Sequence, residues 1–236
     1  SGCRGPESTP GAFRLLILTG RNNHEWEKTT AVLDSMLTGS GLFSVDVTTE
    51  PDTLTFEDFE KYHALLSNWN SWPENDVRWP EATEEGLLDF VEEGGGLVFF
   101  HASTSAFYTW PRFKQLSTGA WVLDSTWHGP VSLVEVRIRD SEHPITSGLD
   151  DFFIRDELWI DAGQNESFRV LGVAENTEGD SVEQPAIMVG HYGKGRIFHT
   201  ILGHDVTAVR NPGFQSMLLR AAEWTSSGRV SGSGQP

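Results

Sequence analysis

The stretch from Phe90 to Thr104, reading FVEEGGGLVFFHAST, constrains the fold more than any other part of the chain. An acidic helix end runs into Gly94, Gly95 and Gly96, and an apolar run from Leu97 to Phe100 follows and stops at His101. Three glycines allow the tight backbone of a helix-to-strand joint. A short apolar run bounded by glycines reads as a strand buried on both faces of a parallel sheet. The small residues Ala102, Ser103 and Thr104 come next. His101 is therefore expected at the carboxyl end of a central strand, on a sharp turn into a helix. Open α/β sheets bind ligands outside the carboxyl ends of their strands. Candidate chemistry is sought among polar residues that share that edge with His101.

The chain around this stretch supplies the other elements. Phe13 to Thr19 reads as a buried strand, and Thr29 to Leu37 has apolar residues at helical spacing. Leu42 to Thr48 alternates as a second strand, and Tyr62 to Ser67 reads as a third. Glu81 to Glu92 reads as an amphipathic helix, whose acids Glu84, Glu85 and Glu92 are expected on a solvated face. The order β-α-β-β-α-β is that of a doubly wound sheet. After Ala106 the pattern changes. A helix interrupted at Pro111 is expected over Phe107 to Leu116, and an exposed antiparallel strand over Val131 to Arg139. Asp156 to Asp161 and Phe168 to Ala174 are strand-like. Gln184 to Val189 and Arg196 to Leu202 form a hairpin around Gly193-Lys194-Gly195, and a last helix starts at Asn211-Pro212-Gly213. Gly193-Lys194-Gly195-Arg196 precedes a strand and lacks Walker spacing, so it is a turn and not a phosphate loop. The organisation is a tether over 1–12, one domain over 13–226 and a tail over 227–236.

Charge and cysteine content narrow the function. With 17 basic and 34 acidic residues the formal charge is −17. Such a chain repels phosphate backbones and anionic lipid, which excludes nucleic acid as a partner. The only cysteine is Cys3, so no disulfide, cysteine metal cluster or thiol nucleophile is available within the domain. Ser1-Gly2-Cys3 resembles the end of a bacterial lipobox, and the Pro/Gly/Ser/Thr-rich residues after it suit a tether. Lipidated Cys3 would hold the protein to a membrane in the cell envelope or periplasm; without lipidation the expected location is cytoplasmic. Nine Trp could stack on the apolar faces of sugar rings, although most are expected in the core.

Polar residues cluster at the predicted strand ends. Asn22, Asn23, His24 and Trp26 follow the first strand, Asn68 and Trp69 the third, His101 the fourth, and His204 and Asp205 the Arg196–Leu202 strand. If these strands are parallel, the loops share one edge. His24, His101 and His204 could then hold a divalent metal, although no two ligands show a diagnostic close spacing. A metal-free alternative uses His101 or His24 as general base, with Asp156 or Glu157 as the carboxylate partner. Trp127 and His128 add an aromatic and a polar group for substrate binding.

Taken together, LILTG…HEW, LLSNW, FVEEGGGLVFFHA, HPIT, DELW, YGKGRIFHTILGH and NPGFQSMLLRAAEW resemble the ThuA-like family, in family order from about Phe13 to Trp224. The resemblance implies a class I glutamine amidotransferase-like fold: a flavodoxin-like three-layer α/β/α domain with a mostly parallel central sheet and an antiparallel β extension. It also implies a role in bacterial sugar catabolism on disaccharides or glycosides oxidised to 3-keto sugars. His24, Asn68, His101, Asp156, Glu157 and His204 fall on the family motifs and carry over as site candidates, with Trp26, Trp69, Trp127 and His128 beside them. The chain departs from glutamine amidotransferases at the nucleophile turn, which here reads His101-Ala102-Ser103 with no cysteine. Acyl-thioester chemistry is thereby excluded, and Ser103 lacks the context of a serine nucleophile.

Three functions are compatible with this reading. The first is an enzyme acting on a 3-keto-glycoside by acid–base or metal-assisted elimination, hydrolysis or isomerisation. The second is a non-catalytic surface sugar-binding protein with platforms at Trp69, Trp72, Trp110, Trp121 and Trp127. The third is a scaffold that has kept the fold and lost its chemistry.

Overall fold

The computed structural model describes residues 11–179 and 182–231. Cys3 and its lipidation signal lie outside the described residues, as do 1–10 of the tether and 232–236 of the tail. The first half of the chain alternates strands and helices. β1 (Phe13–Leu18), α1 (Trp26–Gly39), β2 (Phe43–Thr48), α2 (Phe56–Phe59), β3 (Ala64–Ser67), α3 (Glu81–Glu92) and β4 (Gly96–Phe100) follow in that order. β2, β1, β3 and β4 lie side by side and parallel. Every residue of β3 and β4 is buried, as their unbroken apolar runs require. Helices cover both faces: α1 buries Leu33 and Leu37, and α3 buries Leu87, Leu88 and Val91. At Gly96 a side chain would collide with the Thr225 carbonyl of the last helix, so the glycine run lets that helix lie directly on β4. Glu84 departs from the solvated face expected of it. It is buried, pairs with Arg78 and accepts from the Trp79 backbone N–H.

The second half holds α4 (Phe113–Leu116), β5 (Trp127–His128), β6 (Ser132–Ile138), β7 (Phe152–Asp156), β8 (Trp159–Ile160), β9 (Arg169–Asn176), β10 (Gln184–Tyr192), β11 (Gly195–Thr200), α5 (Val206–Val209) and α6 (Pro212–Ser227). The helix expected over 107–116 shrinks to α4, because Pro111 cannot donate to a helix and Phe107 is left-handed at φ 55°. A single 3₁₀ turn over His101–Thr104 stands where a helix was expected after β4. The strand expected over Asp156 to Asp161 is split: β7 ends at Asp156, and β8 pairs with β5 instead. Arg196 caps α6 by donating from Nε to the Trp224 and Thr225 carbonyls, which gives the basic hairpin turn a structural role. Beyond α6, Val230 is buried and Ser231 bonds to Glu223. Among the described residues no helix is long and apolar enough to cross a membrane.

The main sheet runs β2-β1-β3-β4-β11-β10-β9-β6-β7. β11 is parallel to β4, and β10, β9, β6 and β7 extend the sheet with each strand antiparallel to its neighbour. The result is a flavodoxin-like three-layer α/β/α fold with an antiparallel extension. The alternation points β7 the same way as β11, so Asp156 and Glu157 leave β7 at the edge where β1, β3, β4 and β11 end. In a flat sheet four strand spacings, about 19 Å, would separate β7 from β11. Instead an Asp156 carboxylate oxygen lies 2.7 Å from Gly203 N, just beyond β11. The extension therefore curls back, and β7 packs on α5 and α6. Register shifts between β9 and β10 around Ile187 supply local bending of the kind a bulge gives.

Candidate metal centre and its cleft

Four side chains meet above the turn that ends β4. His24 comes from the loop after β1, His101 from the turn itself, Glu157 from the end of β7 and His204 from the loop after β11. One donor atom of each lies within 4.8 Å of the donors of the other three. His101 Nε2 is 3.4 Å from His204 Nδ1 and 3.8 Å from Glu157 Oε1. His204 Nδ1 is 3.5 Å from Glu157 Oε2. The three imidazole rings stand edge to face, with centroids 4.8, 4.8 and 5.2 Å apart.

Hydrogen bonds fix two of these rings and set their tautomers. The Ile201 carbonyl can only accept, so His101 Nδ1, 2.9 Å away, donates and Nε2 carries the lone pair. His24 Nδ1 donates to Asn22 Oδ1 at 3.0 Å, which leaves Nε2 as its lone-pair nitrogen. Asn22 is itself held, because its Nδ2 donates to Asn68 Oδ1 at 3.3 Å and its Oδ1 accepts from Asn70 at 2.9 Å. Asn68 in turn donates to the Thr29 and Thr30 hydroxyls at 3.0 and 2.9 Å. Outer contacts of this kind orient metal-binding imidazoles. Burial, reinforced by His204 and His128, holds His24 down at about 4, and burial with His24 beside it lowers His101 well below the usual imidazole value. Both rings are neutral at pH 7 and can coordinate a cation without first losing a proton. The donor set, three imidazoles and a carboxylate, suits a divalent first-row metal.

The backbone at His101 is left-handed, with φ 42°. For a residue with a Cβ this conformation costs about 1–3 kcal/mol. It aims the side chain off the strand end, and Ser103 Oγ stabilises the turn by accepting the Phe100 N–H at 3.0 Å. Ser103 is thus a structural residue of the turn.

Asp156 lies beneath the cluster, 1% exposed. Its oxygens accept backbone N–H groups from Gly203 at 2.7 Å, His204 at 3.0 Å and Glu157 at 2.9 Å. One carboxylate thus ties β7 to the loop after β11 and places two of the four donors. Burial pushes its carboxyl up to about 7, against these three N–H groups, which favour the charged form. Gly203 is required at this contact: at φ 107° a side chain there would be strained and would strike the Phe100 and Phe214 rings. Asp156→Asn turns an amide N–H₂ toward a backbone donor, whichever way it is flipped. The expected result is a loss of about 2 kcal/mol, roughly 4–8 °C in Tm for a chain this size. Cation affinity should fall about tenfold as well. Melting curves and cation titration check both, and wild-type values in the two assays would rule out the anchoring role.

A cleft of about 330 Å³ opens above the cluster. Trp72, Trp121 and Trp159 form its aromatic wall, and Asn23, Ala102 and Ser105 border it elsewhere. Trp121 stands edge-on to Trp159 at 5.2 Å and packs against His128 at 5.8 Å. Trp159 Nε1 donates to Glu157 Oε1 at 3.1 Å, and its ring lies 4.7 Å from that of His101. His128 also lines the cleft, with Nδ1 2.8 Å from the Gly129 carbonyl and 3.2 Å from Glu157 Oε2.

The structure thus brings His24, His101, His204, Glu157 and His128 to one place. The remaining expected site residues lie elsewhere. Asp156 does not face the cleft and anchors backbone instead. Asn68 is buried, with its side chain committed to Asn22 and α1. Trp69 is core, stacked on Phe107 and edge-on to Trp79. Trp110 is also buried. Trp26 starts α1 and offers its carbonyl to Asn68. Trp127 is 56% exposed, and strand alternation turns it away from the side on which His128 meets the cleft. Trp72 and Trp121, expected as platforms, do line the cleft. Trp159 was missed, although the DELW motif holds the signal: two positions after Glu157 in extended chain, it falls on the same side.

Residues 14–225 match the family model described as ThuA, trehalose utilisation. A ThuA-like protein from Parabacteroides merdae is 30% identical, with a TM-score of 0.81 over 93% of this chain and 92% of that one. A second, from Bacteroides uniformis, is 21% identical, with a TM-score of 0.72 over 99% and 98%. A cold-adapted β-galactosidase from Rahnella shares the fold at 17% identity and a TM-score of 0.60, over 90% of this chain and 31% of the enzyme. A comparison with curated proteins gives no match. With the family model spanning the whole domain and a relative at 30% identity matching in structure, the chain belongs to the ThuA family.

Proposed function

We propose that the protein is an enzyme of carbohydrate metabolism that uses a divalent cation to act on a keto-glycoside or a related disaccharide derivative. The observation that carries this reading is the convergence of two neutral, tautomer-fixed imidazoles, a third imidazole and a carboxylate at the floor of an aromatic cleft. Membership of a family described by trehalose utilisation supports a sugar substrate. A bound cation supplies Lewis-acid stabilisation of negative charge on a ketone oxygen. The chain's own groups do the rest. His24, His101, His204 and Glu157 would hold the ion. His128, at the cleft and outside that set, removes the proton from the carbon beside the ketone. The electron pair left on that carbon forms a C=C bond to the anomeric carbon and expels the glycosidic oxygen, which takes the proton from the His128 imidazolium as it leaves. Water then adds to the anomeric carbon, losing a proton to His128, which returns it to the neighbouring carbon, and the sum is hydrolysis.

The test is release of the leaving alcohol from purified 3-keto-glycosides by cation-loaded protein. We expect turnover that a chelator abolishes and an added divalent metal restores. If a broad panel of keto-glycosides is bound but none is turned over, the enzymatic reading fails and a sugar-binding protein remains.

A further inference from the structure

We infer that His199, a buried histidine outside the cluster, is a positioning residue for the candidate metal centre: it grips the main chain of His101 and holds the strained turn from which that imidazole reaches the other donors. This deepens the proposed function and rests on its metal reading.

His199 sits in β11 at the middle of the sheet, 0% exposed, with Phe99 of β4 and Met188 of β10 as its ladder neighbours. A position walled in this way suits an aliphatic side chain. An imidazole there is costly, because its Nδ1 is buried and makes no hydrogen bond. Gly119 passes so close to that nitrogen that a Cβ on it would come within 2.7 Å. A buried polar atom left without a partner calls for a reason, and the other ring nitrogen supplies one. Nε2 lies 3.4 Å from the His101 carbonyl oxygen, which can only accept, so Nε2 carries the hydrogen and donates. The ladder between β4 and β11 ends at the Phe100–Thr200 pair, so the His101 carbonyl lies just past its last rung. Two residues beyond His199, the Ile201 carbonyl accepts from His101 Nδ1. β11 therefore holds His101 twice, by its main chain through His199 and by its ring through Ile201. A residue with a Cβ at φ 42° keeps that conformation only where its surroundings over-determine it. The ring contact sets the direction of the His101 Nε2 lone pair, and the main-chain contact sets the backbone that carries the ring. His199 is not one of the four cluster donors and does not border the cleft, so its effect on a cation would pass through His101.

The test compares His199→Leu and His199→Gln with wild type in two measurements. One is Zn²⁺ affinity by chelator competition. The other, on metal-free protein, is hydrogen exchange of the Phe100 and Ser105 amides, which bond to Ser103 Oγ and the Ala102 carbonyl within the turn. Leucine fills the site and cannot donate, whereas glutamine places an amide N–H₂ near the position of Nε2. His199→Leu is expected to bind Zn²⁺ about 10–100-fold more weakly, the cost of losing an outer contact to a metal site. Its two turn amides should exchange about tenfold faster as the turn opens more readily. His199→Gln should return both measurements to near wild type. Should leucine prevent folding, His199→Asn, whose shorter amide does not reach the carbonyl, takes its place. The inference is overturned if the leucine variant matches wild type in Zn²⁺ affinity or in exchange. It is also overturned if glutamine is as impaired as leucine, which would make His199 a packing residue only. Wild-type protein that takes up no Zn²⁺ is a different result: it removes the metal reading itself, and this inference with it.

Discussion

A His101→Ala variant is expected to lose stoichiometric cation binding and to show only background turnover, while His101→Gly, equally inactive, is expected to be the more stable of the two. Both substitutions remove the donor at the floor of the cluster, whose Nε2 faces His204 and Glu157. Loss of an outer contact to a metal site already costs about 10–100-fold in affinity, and loss of a direct donor should cost more. Both also leave the buried Ile201 carbonyl without its ring partner. They differ in the backbone. At φ 42° alanine keeps the strain of the left-handed conformation, and glycine does not. The gap should be about 1 kcal/mol in favour of glycine. Metal analysis after dialysis and chemical denaturation of the metal-free proteins make the comparison. Wild-type cation stoichiometry in His101→Ala would show that the cluster is not a metal site. Alanine as stable as glycine would show that the turn relaxes without the imidazole.

The part of this site legible in the sequence is the part that the parallel sheet dictates. An apolar run that stops at His101, and other strands that stop before His24 and His204, place three imidazoles on one edge once the strands are known to be parallel. Strand periodicity carries no more than that. Glu157 arrives from the far end of a nine-stranded sheet, and only the curl of the antiparallel extension brings β7 back to β11. No local pattern encodes that curl. The adjacent acids Asp156 and Glu157 look equivalent in the sequence, yet one is a buried backbone anchor and the other a cluster donor. Their division of labour follows from which side of the strand end meets the loop after β11. The tryptophans were ambiguous for a similar reason. Trp69 and Trp121 both lie in aromatic segments near strand ends, but Trp69 stacks into the Phe107–Trp79 core and Trp121 faces the cleft. Glu84 shows the limit of charge patterning: an acid on an acidic helix face is buried because Arg78, six residues earlier, reaches it.

His128→Gln is expected to lower turnover by about 10²–10⁴-fold while leaving cation stoichiometry unchanged. The sequence pointed to His101 or His24 as base; the proposed mechanism gives that role to His128, because a cation at the cluster would engage both of those imidazoles. A cation at the cluster would be held by the lone pairs of His24, His101 and His204 together with Glu157, which would leave none of these groups free to act as base. Among the titratable side chains that border the cleft, His128 alone is outside the four donors. The Gly129 carbonyl can only accept, so His128 Nδ1 carries its hydrogen and Nε2 keeps a lone pair. Glu157 Oε2, 3.2 Å from that Nδ1, would stabilise the imidazolium formed when Nε2 takes a proton. Glutamine preserves a hydrogen-bonding side chain of similar reach and cannot take up the proton. The decisive comparison is therefore between two variants. His101→Ala should lose metal and activity together, whereas His128→Gln should keep the metal and lose the rate. Turnover within threefold of wild type in fully loaded His128→Gln would place the base elsewhere. A parallel loss of metal would make His128 a support of the cluster and not a proton-transfer group.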